Sequence, residues 1–252
     1  HEDLEEARDK VKFGRAKKSR VREADENKLV AFHEAGHAVL QAVLPDGDPL
    51  HKVTIIPRGG AGGATFSLPE KDRMGYSLKW IRATLKVLCG GRIAEARAMG
   101  DMSSGASQDI SQATELARTM VTEWGMSDKL GFLRYAGSDS RESFVPDKDY
   151  SDRTADLIDQ ETRRIVDEAY AEAKRLLDEN WNKVEAVAEA LLKHETLTAE
   201  EVQLLISGGS LNKPTVSDLL LADRDRSTRK SPPAEDEDEG PELAGGMSPS
   251  PA

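Results

Sequence analysis

The pentapeptide His33-Glu34-Ala35-Gly36-His37 constrains this chain more than any other stretch. It reads H-E-x-x-H and lies in an apolar run, with Leu29-Val30-Ala31-Phe32 before it and Ala38-Val39-Leu40 after it. Histidines four residues apart on a helix lie one above the other, about 6 Å apart along the axis. Both imidazoles can then bind one metal ion, and the glutamate beside the first can reach a metal-bound water without being a ligand. The same five residues would also suit two amphipathic histidines on an ordinary helix, so their surroundings have to decide. Leu29, Val30, Phe32, Val39, Leu40, Val43 and Leu44 cover most of the circumference of a helix over 27–44, which predicts burial. Buried histidines need polar partners, and a metal supplies one. Gly36 costs that helix about 1 kcal/mol relative to alanine, a cost that close approach of another backbone or of substrate would explain. Pro45-Asp46-Gly47-Asp48-Pro49 ends the helix.

With 252 residues, the chain can form one or two domains with a sizeable core. A net charge of −11 argues against nonspecific nucleic-acid binding. The single cysteine, Cys89, excludes an internal disulfide and points to a reducing compartment. Beside Val87-Leu88 it reads as a buried structural thiol rather than a nucleophile. No apolar stretch approaches the roughly 20 residues that span a bilayer, and no signal peptide stands at the start. The chain opens on His1 rather than Met, so it reads as a cut fragment of something longer, and any membrane anchor or partner domain would then lie upstream.

Residues 1–28 are strongly charged, and Lys10 to Arg22 carries seven basic residues and no acidic one, the pattern of a solvated linker. After the first helix, His51–Arg58 and Ala64–Leu68 read as strands joined by the glycine run 59–63 in a flexible hairpin. That run lacks the Lys-Ser/Thr of a phosphate loop. His51 is a possible third ligand but reads as a structural strand-edge histidine. A second helix is expected over 75–99 with Leu78, Ile81, Leu85, Leu88, Ile93 and Ala96 on its apolar face. Gly90-Gly91 either kinks it or admits a closely packed segment. A third helix carries Ile110, Ala113, Ala117, Met120, Val121 and Trp124, with Ser107 as N-cap and Asp109 in its first turn. A long helix over 152–178 follows, then one capped by Asn180, then a short one opened by the capping box Thr198/Glu201 and closed at Gly208-Gly209. His194 reads as a surface residue, and Thr215 to Leu221 as a helical turn or docking segment. Residues 231–252 hold five prolines and six acids with no basic residue, a composition expected to be disordered.

The third metal ligand stays open on spacing alone, because Glu95, Asp101 and Asp109 all lie far along the chain from the histidines. Several segments together resemble a known family. VAFHEAGHAVL (30–40), DPLHKVTIIPRG (48–59), GGATFSLPE (62–70), CGGRIAEA (89–96), SSGASQDI (103–110), LARTMVTEWGMSDKLG (116–131) and KHETLTAEEV (193–202) resemble the peptidase domain of FtsH, the membrane-anchored AAA+ zinc metalloproteases. The resemblance runs from about residue 22 to 206.

It implies one Zn2+ per chain on His33, His37 and Asp109, with Glu34 as catalytic base and Glu95 supporting the site from behind the ligands. The implied fold is mainly α: a helical zinc-peptidase domain with a small β-hairpin or sheet element near 51–68. The implied organisation is the end of an absent ATPase module plus linker over 1–21, the peptidase domain over 22–206 and an acidic tail over 207–252. In the full-length protein the resemblance implies a homo-hexamer on the cytoplasmic face of the bacterial inner membrane, degrading unfolded proteins with ATP used only by the ATPase module. It involves no nucleic acid, and the piece in hand is expected to be soluble. Substrate is expected to dock as an extended strand along Gly63, Ala64, Thr65 and Phe66. The competing reading is a noncatalytic, ring-forming helical module with a structural metal.

Overall fold

A computed structural model describes residues 10–11, 22–57, 61–68, 74–135, 150–219 and 221–222. Residues 1–216 form one compact unit and 217–252 a second. The expectations for the hairpin tip, for most of 1–21 and for the acidic tail therefore fall largely or wholly outside the described residues.

The first unit contains helices α1 (Ala24–Val43), α2 (Leu78–Met99), α3 (Ser107–Thr122), α4 (Asp152–Glu179), α5 (Trp181–His194) and α6 (Ala199–Ile206). Its strands are β1 (Leu50–Thr54), β2 (Ala64–Ser67) and β3 (Thr196–Thr198). The mainly α fold with a small sheet is as the sequence implies. The sheet has a third strand, β3, and its order is β2-β1-β3, antiparallel throughout. β2 is therefore an edge strand.

Helix α1 runs through the centre of the unit. Ala31, Ala35, Ala38, Val39 and Leu40 are fully buried. They share one apolar core with Val53 and Ile55 of the sheet region, Ile93 of α2, Leu177 of α4, Val184, Val187 and Leu191 of α5, and Val202 of α6. A second core joins Ile81 and Leu85 of α2, Ala117, Met120 and Val121 of α3, Leu130, and Ile158, Ile165 and Ala169 of α4. Helices α2 and α4 thus contribute one end to each core. Two residues assigned to apolar faces, Leu78 and Ile110, are exposed instead, since each lies at the solvated start of its helix.

Gly90-Gly91 does not kink α2, which runs unbroken from its Ser77 N-cap to Gly100, a left-handed C-cap at φ 68°. The pair admits a neighbour instead. A Cβ on Gly36 would lie 2.4 Å from the carbonyl oxygen of Gly90, and one on Gly90 would lie 2.8 Å from that of Gly36. The backbones of α1 and α2 cross in direct contact, which accounts for a glycine inside each helix.

Other ends differ in detail. The N-cap expected at Ser107 is displaced, because a 3-10 turn (Ser104–Ala106) precedes α3 and Ser103 caps that turn by accepting from Gly105 N. Asn180 is the N-cap residue of α5, as expected, but its side chain makes no cap bond there and its amide turns back to Leu176 O at 2.8 Å, closing α4. Thr198 and Glu201 form the expected capping box. His194 is half-buried and donates to Pro214 O rather than standing free on the surface. Residues 216–219 are helical.

A buried acid ties α4 to the loop after α3. Glu161 is fully buried and accepts from Ser127 Oγ at 3.0 Å, Lys129 Nζ at 2.7 Å and Arg164 Nη2 at 2.9 Å. Arg164 foremost, with Lys129 and Ser127, overcomes the opposing effect of burial and holds its carboxyl down at about 2. A depressed folded-state pKa gives stability that is present above the unfolded value of 4.5 and lost as pH falls toward 2. Glu161→Gln is therefore expected to melt below wild type at neutral pH, with the gap closing between pH 4.5 and 2 in a thermal series. A gap that stays constant across that window would contradict this. At the helix crossing, Gly90→Ala is expected to cost about 1–3 kcal/mol by overpacking, read as a lower urea midpoint at unchanged slope.

Candidate metal centre and catalytic carboxylate

His33 and His37 point from α1 toward α2 and the start of α3. Their Nε2 atoms lie 3.0 Å apart. Asp109 Oδ2, delivered by the first turn of α3, is 3.3 Å from one and 3.5 Å from the other. These donor atoms all lie within 4.8 Å of one another and form a group able to hold a metal ion. His51, on β1, is outside it. Asp101 is also outside the group and accepts from Met102 N. Of the three acids left open by spacing, the fold brings Asp109 to the histidines' Nε2 atoms and Glu95 behind one of them.

The opposite ring nitrogens fix the histidine tautomers. His33 Nδ1 donates to Glu95 Oε1 at 2.7 Å, and His37 Nδ1 donates to Val87 O at 2.7 Å. With the protons on Nδ1, both Nε2 lone pairs face Asp109. Two lone pairs and a carboxylate oxygen this close together repel unless a cation lies among them. A nitrogen, nitrogen, oxygen set of three protein donors fits zinc as catalytic sites hold it, with the fourth position kept for water. The field also raises the basicity of His33. Burial lowers its pKa, but hydrogen bonds with Asp109 and Glu95 outweigh burial and bring it to about 10. A metal and a proton thus compete for the same site. Asp109 is held well below the carboxylate range, its burial outweighed by His33 and His37.

Glu95 is completely buried. Burial alone would raise its pKa, but His33 and Ser103 bring it below the usual value. Its second oxygen accepts from Ser103 Oγ at 3.1 Å, and Ser103 caps the turn leading to Asp109. One acid therefore grips a histidine on α1 and the loop that delivers the third donor. Sequence reasoning did not assign a role to Ser103 or Val87 O. A serine before a short turn hints at a cap, whereas a backbone carbonyl carries no sequence signal.

Gly91, beside the helix crossing, makes room for a side chain rather than a backbone. A Cβ there would lie within 2.4–2.6 Å of three His33 ring atoms. Cys89 is buried, its thiol pushed up to about 12 by burial and by Asp109.

Glu34 lies one residue from His33 and is almost wholly buried. Burial raises its pKa, opposed by the charges of His37 and His33 and by a hydrogen bond from Thr65. Of the four positions expected to line substrate, Gly63 and Thr65 touch this carboxylate. Phe66 is buried beneath Lys52, whose ammonium lies 5.5 Å from its ring centre.

A helical domain that brings two H-E-x-x-H histidines, a distant aspartate and a buried adjacent glutamate to one point has the make-up of a metalloprotease domain. The chain belongs to peptidase family M41, whose model matches residues 20–205. It is 46% identical over 242 residues to the ATP-dependent zinc metalloprotease FtsH 2 of Methylacidiphilum infernorum, covering 93% of this chain and 38% of that protein. Identity to the ATP-dependent zinc metalloprotease FtsH of Myxococcus xanthus is 47% over 215 residues, covering 84% of this chain and 34% of the relative. For that of Bacillus subtilis it is 45% over 221 residues, covering 86% and 35%. The chain thus spans a little over a third of the length of these relatives. A noncatalytic module with a closed structural metal is not favoured, since such sites use four protein ligands.

Gly91→Ala is expected to drive the His33 ring from the cluster. Metal per chain, measured by plasma mass spectrometry after zinc loading, falls while far-ultraviolet circular dichroism is unchanged. Full metal content would contradict the packing argument.

Proposed function

We propose that this chain is the zinc-dependent endopeptidase portion of an ATP-dependent, membrane-anchored protease and cleaves unfolded or misfolded protein chains. The observation that carries this reading is the convergence of His33, His37 and Asp109 beside the buried carboxylate of Glu34. His33 Nε2, His37 Nε2 and Asp109 Oδ2 hold the zinc. When bound, zinc supplies Lewis acidity, lowering the pKa of a water to about 7 and polarising the scissile carbonyl. Glu34 accepts a proton from the attacking water and delivers one to the leaving amine. Burial shifts its carboxyl toward the protonated form, the direction a group that both takes and returns a proton needs. Glu95 and Val87 O hold the two rings so that each presents Nε2.

Substrate lies extended along the outer edge of β2, from Gly63 to Phe66. The sheet order supports this, since β1 pairs β2 on one side and no strand among the described residues pairs the other. Main-chain hydrogen bonding there reads backbone rather than sequence, so selectivity is loose. The peptidase domain extends over 22–206, with 1–21 the end of an upstream ATPase module plus linker and 207–252 an acidic Pro-rich tail whose first residues, 207–216, lie in the first compact unit. The printed names of the relatives support the ATP-dependent context. In that whole protein, a homo-hexamer at the cytoplasmic face of the bacterial inner membrane receives chains unfolded by the ATPase. Among the described residues no helix is long and apolar enough to cross a membrane.

Glu34→Gln is expected to keep its zinc and lose at least about a hundredfold in cleavage of an unstructured fluorogenic peptide. Retained cleavage would remove Glu34 as the base. Asp109→Asn is expected to bind zinc more weakly than Glu95→Gln, whose loss of a supporting hydrogen bond costs about 10–100-fold in affinity. Competition with a chelating dye reads this order, and the reverse order would displace Asp109 as ligand.

A further inference from the structure

Strand β2 holds Glu34 as well as forming the sheet edge. Thr65 Oγ1 donates to Glu34 Oε2 at 2.8 Å and lies 3.3 Å from the carbonyl oxygen of Glu34. Two residues earlier, a Cβ on Gly63 would lie 2.7 Å from Glu34 Oε1 and 2.8 Å from Glu34 Cγ. Residues i and i+2 of a strand face the same side. The side shared by Thr65 of β2 and Gly63 just before the strand therefore seats both carboxylate oxygens: Oε2 against a hydroxyl, Oε1 in a gap that a side chain at Gly63 would fill, bounded on another side by the Thr54 carbonyl oxygen. A glutamate side chain has several rotatable bonds, and holding it in one geometry costs conformational entropy that contacts must offset. Helix α1 fixes only the Cα end of Glu34. The carboxylate end is fixed by this strand.

We propose that Gly63 and Thr65 position the general base: the Thr65 hydroxyl holds the Glu34 carboxylate in its catalytic orientation, and Gly63 provides the space in which it lies. Both are positioning residues. The proposal rests on the reading of Glu34 as base. An ionised carboxylate has about four lone-pair sites, so the Thr65 hydrogen bond leaves others for the proton of water. The arrangement also links two steps. The strand whose outer edge receives the substrate backbone is the strand whose inner face aims the base.

The alternative is that Thr65 merely satisfies a buried polar group or shapes the docking strand. The two differ in which kinetic constant changes. Loss of base alignment lowers kcat, because the interaction serves the transition state, whereas loss of docking raises KM.

The test uses the 252-residue chain loaded with zinc, an unstructured fluorogenic peptide, and the variants Thr65→Ser, Thr65→Val, Thr65→Ala and Glu34→Gln. Zinc per chain and melting temperature are measured for each. Valine keeps the shape and strand preference of threonine without the hydroxyl, alanine removes both, and serine keeps the hydroxyl. Thr65→Val and Thr65→Ala are expected to lower kcat by about 10–100-fold, the scale of one hydrogen bond to a charged group, with KM within about twofold and zinc unchanged. Thr65→Ser is expected to stay within about threefold of wild-type kcat. Wild-type kcat in Thr65→Val overturns the proposal, as does an effect confined to KM. Loss of zinc or of the melting transition in both valine and alanine variants assigns Thr65 a structural role and overturns it too. Full activity in Glu34→Gln removes the base and this proposal together. An inactive Glu34→Gln beside an unaffected Thr65→Val overturns the positioning alone.

Discussion

The contact between the backbones of α1 and α2 at Gly36 and Gly90 is the constraint on which the site depends. Side chains ordinarily keep packed helices about 8–10 Å apart. Here each glycine presents its carbonyl where a Cβ on the other would be. The approach brings the α2 backbone beside both imidazoles. Val87 O takes the Nδ1 proton of His37, Gly91 leaves room for the His33 ring, and Glu95, one turn further on, takes the Nδ1 proton of His33. A single crossing therefore sets the position and tautomer of both histidines. With ordinary residues at the crossing, the H-E-x-x-H helix would form but its imidazoles would lose those partners.

The electrostatics follow from what is gathered there. Three carboxylates and two imidazoles share a largely buried space, which is unfavourable without a cation. The fold treats the acids differently. Asp109 and Glu95 are both shifted toward the ionised form against their burial, Asp109 by His33 and His37 in their protonated forms and Glu95 by His33 and Ser103. Glu34 is shifted the other way by burial, despite the same histidines and Thr65. Environments that move proton affinities apart favour the proposed division of roles, in which Asp109 and Glu95 hold charge and Glu34 moves a proton. The sheet contributes to this division, because its edge strand supplies Thr65 and the Gly63 gap rather than another charge.

Much of this was legible in the residues. Helix α1 and its histidines followed from apolar periodicity, and α4 and the Thr198/Glu201 capping box from pattern and cap chemistry. The glycines in α1 and α2 were recognisable as places where something comes close, but not as partners of each other, since contact between two segments far apart in sequence carries no local signature. Strand β3 was missed because three residues between two helices show no usable alternation; it exists because β1 has an edge to pair. A left-handed turn at Glu195 (φ 59°), a conformation glutamate seldom adopts, carries the chain into it. Asp109 could be singled out only through family resemblance, because its approach depends on the turn capped by Ser103 and anchored by Glu95. Thr65 and Gly63 were noticed for the strand they sit on, while their contact with Glu34 required the packing of that strand on α1.

The central claim is that the centre is built from two histidines of one helix and an oxygen donor from another, with no thiolate. Zinc K-edge X-ray absorption on the loaded chain tests it most directly. The account predicts a first shell of light atoms only, at about 2.0–2.2 Å, with the outer-shell pattern of two imidazoles. A sulfur scatterer at about 2.3 Å, or the pattern of one imidazole or of three, would contradict it.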